Sequence, residues 1–180
     1  MLFTQKEMLE QWRLRHCLDA SGLTGSADDR FDRADSDFID MAQMDDWYAD
    51  LLSRGDPAFV QATDITSRLI LTPGQLNGEW TARLPDDVVS VVEVNLASPA
   101  LQAEIIDPES RIARLLTDEF APIPTQKPVA FTRNGYLKVY IKSDVPVSLS
   151  SVMAVTTPPD GFYSITPKGL ALIPKPDLYL

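Results

Sequence analysis

Between Trp80 and Val94 the chain reads Trp-Thr-Ala-Arg-Leu-Pro-Asp-Asp-Val-Val-Ser-Val-Val-Glu-Val, and few folds accommodate that string. Pro85 fixes its own φ and biases Leu84 toward extended backbone, so the chain turns there without starting a helix. Beyond the corner, Val88, Val89, Val91, Val92 and Val94 form a β-branched run suited to a strand buried on its valine side. The segment therefore predicts strand, Leu84-Pro85-Asp86-Asp87 corner, strand.

The rest of the chain divides by pattern. Thr4-Gln5-Lys6-Glu7 has capping-box spacing, with Phe3 and Met8 placed as a staple, and Met8, Leu9, Trp12, His16 and Leu18 follow at helical spacing. A second helix is expected from about Asp35 or Ser36 to Ser53. Phe38, Met41, Met44, Trp47, Tyr48, Leu51 and Leu52 would form its apolar face and Asp40, Asp46 and Asp50 its opposite face, with Gly55-Asp56-Pro57 as the stop. From Ala58 the pattern turns to β. A strand is expected over 59–71, a turn over 73–78, then the two strands around the corner. Asp107-Pro108-Glu109 resembles a cap with proline at the first helical position, opening a short helix through Ile112, Leu115 and Leu116. Pro122, Pro124 and Pro128 mark a loop. Asn134-Gly135 between two β-rich runs is a strong hairpin signal, since both central residues of a type I′ turn need positive φ. A further strand is expected over 147–155.

After Thr157 the chain is proline-punctuated but keeps Phe162, Tyr163, Leu170, Leu172, Ile173 and Tyr179. Such apolar residues must dock somewhere, so 158–180 is expected to be an extended arm that packs on a neighbouring subunit or another protein of the assembly, or folds back on its own sheet. On the neighbour reading, deleting it leaves the domain folded but abolishes assembly. The fold class is α+β: a helix pair packed on an antiparallel sheet or small sandwich over 1–157, plus the arm.

Charge and composition narrow the function. The formal net charge is −10, and residues 1–60 carry six Lys/Arg against thirteen Asp/Glu. A chain this acidic lacks the basic stripe that duplex binding requires, so sequence-specific nucleic-acid recognition is not expected. No apolar run approaches a bilayer span, no signal peptide is visible, and the single Cys17 makes no internal disulfide. The aspartates between Asp28 and Asp40 fail the calcium-loop pattern, because Asp40 stands where a sharp turn needs Gly. His16 and Cys17 are adjacent and would diverge on a helix, so they form no base–nucleophile pair. The adjacent pairs Asp86/Asp87 and Asp118/Glu119 are no evidence of a two-carboxylate site, since such pairs are brought together by folding, and Asp86 beside Pro85 is better explained by turn chemistry. No catalytic, cofactor-binding or metal-ligating set is expected.

The order of these motifs resembles the head–tail adaptor proteins of short-tailed bacteriophages, the rings beneath the portal. The likeness runs over about 35–160. It rests on Trp47-Tyr48 and Leu51-Leu52 in the helix, the Leu84-Pro85-Asp86-Asp87 corner with its valine strand, and the hairpin from Lys127-Pro128-Val129 through Asn134-Gly135 to Tyr140. The last of these is similar to a hairpin in ring proteins of gut-bacterial phages. The resemblance implies a non-enzymatic virion protein of the phage neck, assembled in the host cytoplasm. It further implies a homo-oligomeric ring of about twelve copies, bridging portal and tail proteins, with genomic DNA only passing through its lumen and no membrane partner. One departure is that the chain ends in a proline-rich arm where many adaptors continue into helices. The other class of protein compatible with the residues is a monomeric or dimeric β-rich bacterial binding module.

Overall fold

The computed structural model describes residues 1–16, 29–118, 120 and 127–174, with side chains for all of these except 16 and 29–36. The fold is α+β, and the chain divides into two units. One joins Met1–Gln61 to Thr157–Leu180, and the other is Ala62–Thr156. The second is thus an insertion in the first, and the division after Gln61 is not one the sequence pattern marks.

In the first unit a short strand β1 (Leu2–Thr4) leads into helix α1 (Gln5–His16). The capping box forms: Thr4 N donates to Glu7 Oε2 at 2.8 Å and Glu7 N to Thr4 Oγ1 at 3.4 Å. These bonds to Thr4 hold the Glu7 carboxyl below its ordinary pKa. Helix α2 (Asp29–Ser53) begins earlier than the expected Asp35 or Ser36 and ends where expected. Gly55 follows at φ 59°, its amide bonding Leu52 O at 2.9 Å. Met8, Trp12, Met44, Tyr48 and Leu51 are buried, and the Trp12 and Trp47 rings lie 5.6 Å apart across the helix pair. Two expectations for α2 fail. Phe38 is 75% exposed rather than on the buried face. Asp40 turns toward α1, where Arg13 Nε donates to it at 3.0 Å and the same guanidinium also pairs with Asp37.

The expected arm closes this unit. Strand β10 (Phe162–Ser164) pairs antiparallel with β1 in the register Phe3↔Tyr163. Gln5 N bonds Gly161 O and Ile165 N bonds Met1 O, extending the ladder at both ends. Tyr48 Oη stitches α2 to β10, accepting from Ser164 N at 2.9 Å and donating to Ser164 O at 3.2 Å, and the Tyr48 and Tyr163 rings meet edge to face at 5.0 Å. Thr166 then caps a one-turn helix α4 (Pro167–Leu170), with Pro167 in its first turn. Gly169 lies so close to Phe59 that a Cβ would stand 2.3 Å from its carbonyl oxygen.

The second unit is a small β-sandwich. One sheet orders β2 (Ala62–Asp64), β9 (Ser148–Thr156) and β5 (Val88–Ser98). The other orders β3 (Thr72–Pro73), β4 (Glu79–Arg83), β8 (Tyr136–Tyr140), β7 (Val129–Arg133) and β6 (Glu104–Ile105), the last pair parallel. Their inner faces share one core that includes Val91, Val94, Leu96, Val152 and Ala154 from the first sheet and Ala82, Leu137, Val139 and Ala130 from the second. Register shifts in β5, including one between Val91 and Glu93, put Val91 and Val94 on the same buried face although they are three residues apart. Val89 faces outward, against expectation.

Two further elements depart from the sequence reading. The strand expected over 59–71 shrinks to β2 and a 3-10 turn at Thr66–Arg68. Asp64 accepts from Thr66 N at 2.8 Å, and Thr66 Oγ1 in turn accepts from Val152 N at 2.7 Å, so local side-chain bonds displace the ladder. Helix α3 (Arg111–Leu116) is capped by Ser110, not Asp107, which instead takes the Glu109 amide in its own turn. Its buried residues are Ala113 and Leu116, while Ile112 and Leu115 are exposed. The hairpin forms as expected, with Asn134 at φ 54° and Gly135 at φ 77°.

Because β10, Ile165, Leu170 and Ile173 belong to the first unit's core, ending the chain at 157 should unfold α1 and α2. Far-UV circular dichroism should lose most helical signal while the sandwich keeps its amide protection. Retention of full helicity would contradict the closure. Gly135→Val forces a β-branched residue to positive φ and should cost about 1–3 kcal/mol, read as a lowered melting temperature of the sandwich.

Candidate interaction surface

The corner singled out by sequence sits at one end of the five-stranded sheet. Leu84 is buried and its amide bonds Gly135 O at 2.9 Å, tying the corner to the hairpin. Val88 N bonds Pro85 O at 3.1 Å, closing the turn. Asp87 accepts two bonds from Arg68, at 2.9 and 2.5 Å, a bidentate pair that holds its carboxyl below and the guanidinium above their ordinary pKa values. Asp86 is exposed. Arg68, Ile70, Arg83, Leu84, Pro85 and Asp86 line an open depression of about 380 Å³.

Strand register places side chains on the outer face of this sheet in rows across β4, β8 and β7. They are Arg83–Tyr136–Arg133, then Thr81–Lys138–Phe131, then Glu79–Tyr140–Val129. The last row, together with Phe131 of the middle one, is covered. Phe131 and Tyr140 stack at 5.5 Å and pack with Ala113 and Leu116 of α3. Buried among them, Glu79 is fully partnered. Its Oε2 accepts from Gln75 N and Leu76 N, both at 3.1 Å, and its Oε1 from Lys138 Nζ at 2.7 Å and Tyr140 Oη at 3.3 Å. Burial pushes this carboxyl up, but the Lys138 ammonium, the Leu76 amide and the Tyr140 hydroxyl outweigh it and leave the pKa lowered. Burial, and then the Glu79 charge, raise the Tyr140 hydroxyl. A carboxylate saturated in this way pins the 73–78 turn and is poorly suited to proton transfer. Gly74 allows the arrangement, because a Cβ there would stand 2.5 Å from Glu79 Cγ.

The first row is uncovered. Arg83 and Tyr136 are exposed and Arg133 is half-buried. No hydrogen bond or ion pair within the chain joins the guanidinium of Arg83 or Arg133 to another described residue. Sequence reasoning missed this row. The hairpin alone places Arg133 opposite Tyr136, but the β4–β8 pairing that adds Arg83 is non-local.

The residues expected to dock on a neighbour are distributed differently. Tyr163, Leu170 and Ile173 are buried within the first unit, whereas Phe162 and Leu172 are 39% and 43% exposed. Tyr179 lies outside the described residues. Tyr163 Oη donates to Asp45 at 2.5 Å, and burial together with that bond raises its pKa. Of the aspartates between Asp28 and Asp40, Asp37 and Asp40 pair with Arg13 and the others lie outside the described side chains, as do His16 and Cys17. Among the described residues no three His, Cys, Asp or Glu converge on a metal-sized site, and no helix is long and apolar enough to cross a membrane. No protein-family model matches this chain, and no curated protein resembles it in sequence.

Glu79 gives this region a defined pH response. Its pKa is lowered in the fold, so its stabilisation is present above the ordinary carboxylate value and is lost as pH falls through the folded value. Lys138→Met leaves that carboxylate without its cation and should cost about 2 kcal/mol at neutral pH, less than a fully buried pair because Lys138 still touches water. The difference from wild type should shrink as pH falls below about 4 in urea titrations. A pH-independent difference would contradict the ion-pair account.

Proposed function

We propose that this chain is a structural protein of a phage virion, a ring-forming adaptor or neck component between portal and tail that surrounds the DNA channel. The observation that carries the reading is the order of elements over 35–160. In this chain an aromatic-rich helix, the Leu-Pro-Asp-Asp corner, a valine strand and a type I′ hairpin follow one another, an order that resembles that of the phage ring proteins. Three features are consistent with it. The net charge of −10 suits a wall past which DNA slides without adhering. The buried Glu79 carboxylate spends its hydrogen bonds on the 73–78 turn, Lys138 and Tyr140, as a structural group would. The packing of Tyr163, Leu170 and Ile173 inside the first unit makes each subunit self-contained, able to form a ring by docking surfaces.

That last feature equally suits the second reading, a monomeric or dimeric β-rich binding module, and images separate the two. Negative-stain micrographs of the purified protein at high concentration, with and without a portal-type ring, should show closed rings with a central opening. Uniform single or paired particles under both conditions would overturn the adaptor reading in favour of the module.

A further inference from the structure

The uncovered Arg83–Tyr136–Arg133 row puts two cations on one strip of an acidic chain. Its two outer strands lie about 10 Å apart, so the side chains of Arg83 and Arg133 stand on either side of that of Tyr136 on one face of the sheet. Ile70, 79% exposed, shares the depression with Arg83. The strip therefore offers two unpaired cations, one aromatic ring and one aliphatic side chain.

A complementary strip lies on α2. Ile39, Gln43, Asp46 and Asp50 follow at helical spacing and all are exposed, and Phe38, beside Ile39, is exposed more than any other side chain described on that helix's apolar residues. Asp46 and Asp50 are one turn apart, about 6 Å along the axis. Asp50 also pairs with Arg54 at the surface, a contact of little energy. Helix α2 carries eight Asp and two Arg and has no basic residue in its last turn. Acid plus apolar thus stands on one unit, and cation plus aromatic on the other.

We infer that the Arg83–Tyr136–Arg133 row is a docking surface for the exposed α2 face of a second copy of this chain, with Asp46 and Asp50 meeting the guanidiniums and Ile39, about 10 Å further along the helix, meeting Ile70 beyond Arg83. The two surfaces are different patches, so the contact is heterologous, and repetition of a heterologous contact closes into a ring or runs into a filament. The inference rests on the ring reading and names the contact that would build the ring. Its charges are exposed, so association should weaken with salt.

A charge swap tests it on the full chain. Arg83→Glu/Arg133→Glu places acid against acid, and Asp46→Arg/Asp50→Arg places base against base. Each protein, with an unchanged circular dichroism spectrum, should self-associate at least tenfold more weakly than wild type by sedimentation velocity at low salt. Mixed one to one they should assemble again, because each variant supplies the charge that the other's partner strip requires. If wild type assembles and neither variant differs from it, or if the mixture fails to recover, the assigned surface is wrong while the ring reading stands. If wild type is monomeric at every concentration and salt, both fall together.

Discussion

The pairing of β1 with β10 is the interaction on which the first unit depends. It joins residues more than 150 positions apart, and closing so long a loop from an unfolded chain is entropically costly. The inserted sandwich reduces that cost. Its first and last strands, β2 and β9, pair in the register Ala62↔Val155, so the folded insertion delivers Gln61 and Thr157 side by side. The effective loop is then short. Within the helical unit the Tyr48–Ser164 bonds and the Thr166 contact with Phe59 O consolidate the β1–β10 pairing.

Within the sandwich, the sheet with the hairpin has two ends with different fates. At one end α3 and the Glu79-pinned turn cover the outer face, excluding water from Phe131 and Tyr140. At the other, the hairpin and the Leu84–Asp87 corner leave the face open, and the cations stand there. The Arg68–Asp87 pair fixes the corner's shape and neutralises one carboxylate beside the open strip. Local structure and available surface thus follow from the same few residues.

Much of this was legible where the signal is local. Thr4 and Glu7, Gly55, Asn134 and Gly135 each act within a few residues, and each does what its chemistry predicts. The failures share a cause in competition. Over 59–71 the Asp64 and Thr66 side chains bond to backbone and replace a strand that β-branched composition suggests. At α3 Ser110 takes the capping role because Asp107 is engaged in its own turn. Strand β10 spans only three residues, too few to show alternation, so its place in a sheet is invisible until β1 is beside it. The corner of the candidate surface was readable from Pro85, whereas the arginine row depends on which strand lies next to β8, a tertiary fact.

The central claim is that this self-contained subunit assembles into a closed ring. Native mass spectrometry of the purified full chain tests it most directly. The account predicts one dominant oligomer of fixed copy number, dissociating to monomer as salt is raised. A mass corresponding to monomer or dimer alone, at low salt and high concentration, would contradict it.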